Sequence, residues 1–168
     1  MAPTRNRFQI TCLIFALAVL IVASAALVSV PAMRGDEKPS ADPWTSAQTV
    51  QAAELAKELG EKSGTPSTVV YVGFHTLFAG GHIPGATFHG SASTDQGLAE
   101  LKKWADSLPR TTSLVIYCGC CPFEKCPNIR PAFTALSGMG FKKLRVLILP
   151  TSFVKDWAEV GYHVQKGI

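Results

Sequence analysis

Short apolar runs alternating with helical patterns constrain this 168-residue chain more than any other feature. Thr68 to Val72 (TVVYV), Ser113 to Tyr117 (SLVIY) and Leu144 to Leu149 (LRVLIL) are brief and mostly aliphatic, β-branched or aromatic, and Ala86 to Phe88 forms a smaller fourth run. Runs of that length bounded by turn residues read as buried strands. Thr45-Ser-Ala-Gln48 has capping-box spacing and opens a helix through Val50, Ala53, Leu55 and Leu59 to Gly60. Ser93-Thr-Asp-Gln96 opens another through Leu98, Leu101, Trp104 and Leu108, stopped by Pro109. A third helix spans Pro131 to Met139, with Gly140 at its C′ position. Strands alternating with helices predict an α/β fold whose parallel sheet is covered on both faces.

Residues 1–32 stand apart from that pattern. Arg5 and Arg7 precede a nearly uncharged stretch from Phe8 to Val30, the signature of a signal peptide or a transmembrane signal anchor. Ile10 to Val30 is long enough to cross a bilayer as a helix, while Val30-Pro31-Ala32 offers a small residue before a cut; anchoring is favoured over cleavage. The arginines predict a cytoplasmic N-terminus and an exported, periplasmic or otherwise extracytoplasmic domain, with residues 8–30 as the membrane contact. Cys12 lies too early to be a lipoprotein cysteine. Residues 33–43 are polar and Pro-rich and read as a tether. Residues 44–168 remain as one domain, large enough to bury a core and expected to be monomeric.

Charge is divided unevenly. Met33 to Glu100 holds 4 basic and 8 acidic side chains, and Leu101 to Ile168 holds 10 and 4. Such an imbalance suits either a small anionic ligand near the later half or a solvated mixed surface. No basic stripe is interleaved with aromatics, so nucleic acid is not an expected partner.

In open α/β sheets, binding sites gather where strands end and loops lead into helices. The loop leaving Ser113–Tyr117 is Cys118-Gly-Cys-Cys-Pro-Phe-Glu-Lys-Cys-Pro-Asn-Ile-Arg130, and it holds four of the five cysteines. A thiol at Cys118 can face loop amides and the positive end of the next helix, both of which favour the nucleophilic thiolate. Arg130 adds a fixed charge and a bidentate grip for an oxyanion. Cys120, Cys121 and Cys126 suit resolution of an oxidised Cys118 or a disulfide clamp such as Cys121–Cys126, and Cys118 with Cys121 has C-x-x-C spacing. Cys118, Cys121 and Cys126 also offer three soft ligands for zinc or copper(I), although structural zinc sites usually draw on two separated ligand pairs. Pro122 and Pro127 stiffen the loop. His75, His89 and His163 show no ligand spacing, and Trp104 and Trp157 sit at core positions.

Three features together resemble the rhodanese-like family over Trp44 to Gly167. Gly80-Gly-His-Ile-Pro-Gly-Ala86 looks like the family's GHIPGA turn, with His82 bracing it. Tyr117-Cys118 matches the nucleophile position within a strand–Cys–loop–Arg–helix arrangement, and Trp157 with Gly161-Tyr162 is similar to the family's ending. The resemblance implies an α/β sandwich and, for active members, a persulfide on Cys118 that carries sulfur from a small anionic donor to a thiol acceptor. No separate cofactor is implied. Two departures stand out: Arg130 lies 12 positions after Cys118, farther than is usual for the family, and Tyr71-Val72-Gly73 replaces the common Asp-x-Arg. The long loop is rich in cysteine rather than glycine, which argues against the phosphatases of the family.

Overall fold

The computed structural model describes residues 42–60 and 67–167. The expected signal or anchor (1–32), with Cys12, and nearly all of the tether (33–43) lie outside the described residues. Among those described, no helix is long and apolar enough to cross a membrane.

Five parallel strands form one sheet, with β1 Thr49–Gln51, β2 Thr68–Tyr71, β3 Thr87–Phe88, β4 Leu114–Tyr117 and β5 Leu144–Ile148 in the order β1-β5-β4-β2-β3. The helices are α1 Ala52–Gly60, α2 His75–Gly80, α3 Asp95–Asp106 and α4 Ile129–Gly138. Side chains of period 2 divide each strand between two cores. Val70, Leu114, Ile116, Leu144 and Val146 meet Leu101 and Ala105 of α3 and Ala132, Phe133 and Leu136 of α4. Val69, Tyr71, Val115, Tyr117 and Leu147 meet Leu55 of α1, Phe78 of α2, and Trp157. Helices of 6 to 12 residues are marginal alone in water. Burial at about 1.5–3 kcal/mol per large apolar side chain therefore holds them, more than their own propensity.

Two elements differ from the sequence-based expectation. The Thr45–Gln48 box forms, with the Thr45 N–H donating to Gln48 Oε1 at 3.0 Å, but it closes only a 3-10 turn, Ser46–Gln48. Thr49–Gln51 then pairs with Val146–Ile148 as an edge strand, and the helix starts at Ala52. The exposed edge of β5 offers unpaired backbone groups, and pairing with them overrides a local helix signal. The other difference is α2, a short helix for which the sequence pattern gives no signal, and which buries Phe78 against Tyr71. Elsewhere the boundaries shift by a residue or two. Thr94, not Ser93, caps α3 by accepting from the Gly97 N–H at 3.1 Å, and α4 begins at Ile129 rather than Pro131.

Candidate thiol site

β4 is the central strand, and all four of its residues are buried. It delivers Cys118 to the carboxyl edge of the sheet, where the ends of β2 and β5 also arrive. Gly119 then turns the chain at φ +73, a left-handed conformation that suits glycine. Its carbonyl accepts from the Phe153 N–H at 3.0 Å, and a Cβ there would stand 2.6 Å from Phe153 Cβ. The Phe123 N–H donates to the Pro150 carbonyl at 3.3 Å, and the Cys126 N–H closes the following 3-10 turn onto the Phe123 carbonyl at 3.1 Å. The first two bonds tie the loop to the segment that follows β5, and the third closes it locally.

The result is a cluster of thiols. The sulfurs of Cys118, Cys120 and Cys126 all lie within 4.8 Å of one another. Cys118 Sγ is 3.1 Å from Cys120 Sγ, and Cys120 Sγ is 3.4 Å from Cys121 Sγ. Cys118 and Cys126 are buried, Cys120 and Cys121 half-buried, and all four are free. The Cys121–Cys126 clamp is not formed. The set that converges is Cys118, Cys120 and Cys126, whereas the expected metal trio included Cys121. The left-handed turn at Gly119 brings the i,i+2 pair together, a feature that spacing does not reveal.

Asn128 is the residue that sequence reasoning missed. An Asn just before a helix reads as an N-cap, yet its side chain caps nothing. It is wholly buried. Its Oδ1 accepts from the Ser93 N–H at 2.9 Å, and its Nδ2 donates to Cys118 Sγ at 3.5 Å and Cys120 Sγ at 3.9 Å. That tie to the α3 entry turn aims the amide donor at the thiols.

Anion stabilisation centres on a different sulfur from the one expected. The Cys118 S–H, then the backbone N–H groups of Asn128 and Ile129, hydrogen-bond to Cys126 and pull its thiol down to about 6, against the opposing effect of burial. Cys118 is pushed upward, first because it gives its proton to that bond and then by burial. Burial and the Cys120 thiol push Cys121 up to about 12. The helix terminus thus faces Cys126, and Cys118 shares the charge through one hydrogen bond.

Arg130 does not join the cluster. Its guanidinium pairs with Asp42 at 2.7 Å and lies over the Trp44 ring at 5.6 Å, and it makes no hydrogen bond to any of the four thiols among the described residues. Because α4 begins at Ile129, Arg130 falls in its first turn with the side chain directed toward the segment entering β1. The expected oxyanion grip is therefore absent from this geometry.

The remaining candidates resolve plainly. His82 is buried, stacks on Phe78 at 3.9 Å and places Nδ1 2.8 Å from the Phe78 carbonyl, bracing the turn as the sequence predicts. Ile83-Pro84-Gly85-Ala86 is that turn, closed by the Ala86 N–H on the Ile83 carbonyl at 3.0 Å. Trp157 is a core residue. Trp104 is half-buried and stacked on His89 at 4.0 Å. His75 lies against Phe88, and the His163 carbonyl accepts from Trp157 Nε1; neither ring reaches the cysteines. A cavity of about 320 Å³ between α1 and Tyr162 contains none of the thiols.

Gly73 accounts for one departure from the family pattern. A Cβ there would meet the Tyr71 hydroxyl at 2.5 Å and Cys118 Sγ at 2.7 Å. Gly73 therefore leaves the space that Cys118 occupies.

No protein-family model and no curated protein matches the chain. Solved structures do. The rhodanese-like domain of the Alr3790 protein from Anabaena sp., in solution, superimposes with a TM-score of 0.52 at 20% identity, covering 72% of this chain and 80% of that one. A crystal structure of the Alr3790 protein gives 0.54 at 21%, covering 71% and 82%. The BH2092 protein from Bacillus halodurans gives 0.53 at 18%, covering 70% and 76%. The parallel five-stranded sheet with helices on both faces agrees with these likenesses, and the described part of the chain has the rhodanese-like fold.

Proposed function

We propose that this domain is a sulfurtransferase, which accepts sulfane sulfur from a small anionic donor as a persulfide on Cys118 and passes it to a thiol. The observation that carries this reading is the cluster itself: Cys118 ends the central strand with two more sulfurs within 4.8 Å and an amide donor aimed at it. Cys126 acts as the base. A group poised near 6 is matched to proton transfer at neutral pH, and moving the Cys118 proton onto it removes the leading cause of the upward shift at Cys118. The Cys118 thiolate then attacks the outer sulfur of a donor such as thiosulfate, the S–S bond of the donor breaks, and sulfite leaves. Asn128 Nδ2 and the loop amides offset the negative charge in a site shielded from water. With Arg130 held by Asp42, capture of the donor falls to those amides rather than to a guanidinium.

Tryptic mapping tests the reading, because cleavage after Lys125 separates Cys118 from Cys126. Thiosulfate treatment of the full chain should release sulfite and, in Cys120→Ser, add one sulfur atom to the peptide Thr111–Lys125. Cys118→Ser should do neither. Sulfite release undiminished in Cys118→Ser overturns the assignment.

The convergence of Cys118, Cys120 and Cys126 also favours a second reading, a soft-metal module holding zinc or copper on three thiolates. Stoichiometric metal in the purified full chain, together with no sulfite release, would select it. On either reading the domain is exported and held at or released from a membrane by residues 8–30, which the basic flank and apolar run support.

A further inference from the structure

We infer that Cys120 resolves the Cys118 persulfide within the same chain, so that the domain releases hydrosulfide and closes a Cys118–Cys120 disulfide. The inference rests on the sulfur-transfer reading and adds the fate of the sulfur. Cys120 Sγ stands 3.1 Å from Cys118 Sγ, and a disulfide needs about 2.05 Å, so closure takes a movement of about 1 Å. Gly119, between them, is already in the left-handed turn that brings the two side chains together. Asn128 Nδ2 reaches both sulfurs, at 3.5 and 3.9 Å, so the same donor faces the attacking and the attacked atom.

The chemistry balances. Sulfite leaves when the persulfide forms. The Cys120 sulfur then attacks Cys118 Sγ, the bond from Cys118 to the outer sulfur breaks, and that sulfur takes the Cys120 proton and departs as hydrosulfide. Two thiols lose two electrons to form one disulfide, and the sulfane sulfur gains them as sulfide. Recycling requires an external dithiol, which reduces the disulfide by thiol–disulfide exchange. Cys120 is half-buried whereas Cys118 is buried, so the outer sulfur of the disulfide is the one a reductant meets. The product under this scheme is free sulfide paid out once per reduction cycle, not a standing persulfide.

The test uses the reduced full chain, freed of reductant under anaerobic conditions and mixed with thiosulfate alone. Wild type should release one sulfite and one sulfide per chain and lose the mass of two hydrogens. Cys120→Ser should release sulfite without sulfide and retain the mass of one sulfur on Thr111–Lys125 until a dithiol is added. Cys121→Ser should behave as wild type. If wild type keeps the added sulfur and releases no sulfide, the intramolecular step is overturned while the sulfur-transfer reading stands. If Cys120→Ser still releases sulfide at the wild-type yield, another thiol resolves and Cys120 is the wrong assignment. Absence of sulfite from both proteins overturns the sulfur-transfer reading itself.

Discussion

Replacing Cys126 by Ser removes the group on which the thiol cluster holds its negative charge. In the wild-type loop, the hydrogen bond from Cys118 and the N–H groups of Asn128 and Ile129 bring Cys126 to about 6 from the ordinary 9.0. At pH 7 a thiol at 6 is about 90% ionised and one at 9 about 1%, so the ionised fraction falls about 90-fold when that stabilisation is lost. Cys118 does not inherit the low value, because burial continues to raise it after Cys126 is gone. Ser cannot replace the charge at this pH. The assay is the initial rate of iodoacetamide alkylation from pH 4.5 to 9.5, read on the tryptic peptides Thr111–Lys125 and Cys126–Lys142. Wild type should titrate with a midpoint near 6 and react first at Cys126 or Cys118. The Cys126→Ser protein should titrate at 9 or above, with alkylation at pH 7 down by about two orders of magnitude relative to its own plateau. A midpoint that stays near 6 refutes the reasoning, since the acidic thiol would then be another one. The linkage sign gives an independent check. A thiol whose folded value is depressed contributes stability that is lost as pH falls through that value, so unfolding free energy should rise between pH 6 and 9 in wild type and flatten in Cys126→Ser.

Arg130→Ala should leave the KM for thiosulfate unchanged, because the guanidinium serves Asp42 and Trp44, and should cost only about 0–1 kcal/mol in denaturant unfolding; a large rise in KM would return Arg130 to the site. Gly73→Ala should destabilise by about 1–3 kcal/mol through overpacking against Tyr71 and Cys118 and should also slow sulfite release, with wild-type stability as the contrary result. Leu136→Ala, at a fully buried position on the core-facing side of α4, should cost about 2–5 kcal/mol without changing the alkylation midpoint. Fractionation of expressing cells should find the full chain with membranes and the domain accessible to external protease, or cleaved and released; intact chain in the cytosolic fraction would refute export.

Short continuous apolar runs identified β2, β4 and β5, and the Ser93–Gln96 box, Pro109 and Gly140 bracketed the helices between them to within a few residues, because both kinds of signal are local. The position of Cys118 at the end of the central strand was legible for the same reason. β1 was not, because Thr49–Gln51 becomes a strand only when the edge of β5 is present to pair with it, almost a hundred residues away. Asn128 was not either: its role depends on Ser93 and Cys118, which meet only through packing of α3, α4 and β4.

The cysteine count, their crowding into one loop and the α/β alternation were determined by the sequence alone, since composition and short-range patterning suffice for them. Which sulfurs touch, which one holds the charge, and that Arg130 faces Asp42 instead of a thiol were decided only in the tertiary structure. Spacing along a loop does not set distance in space. A left-handed turn at Gly119 and a helix starting at Ile129 reorient every side chain after them, and a thiol ionises according to the donors that reach it.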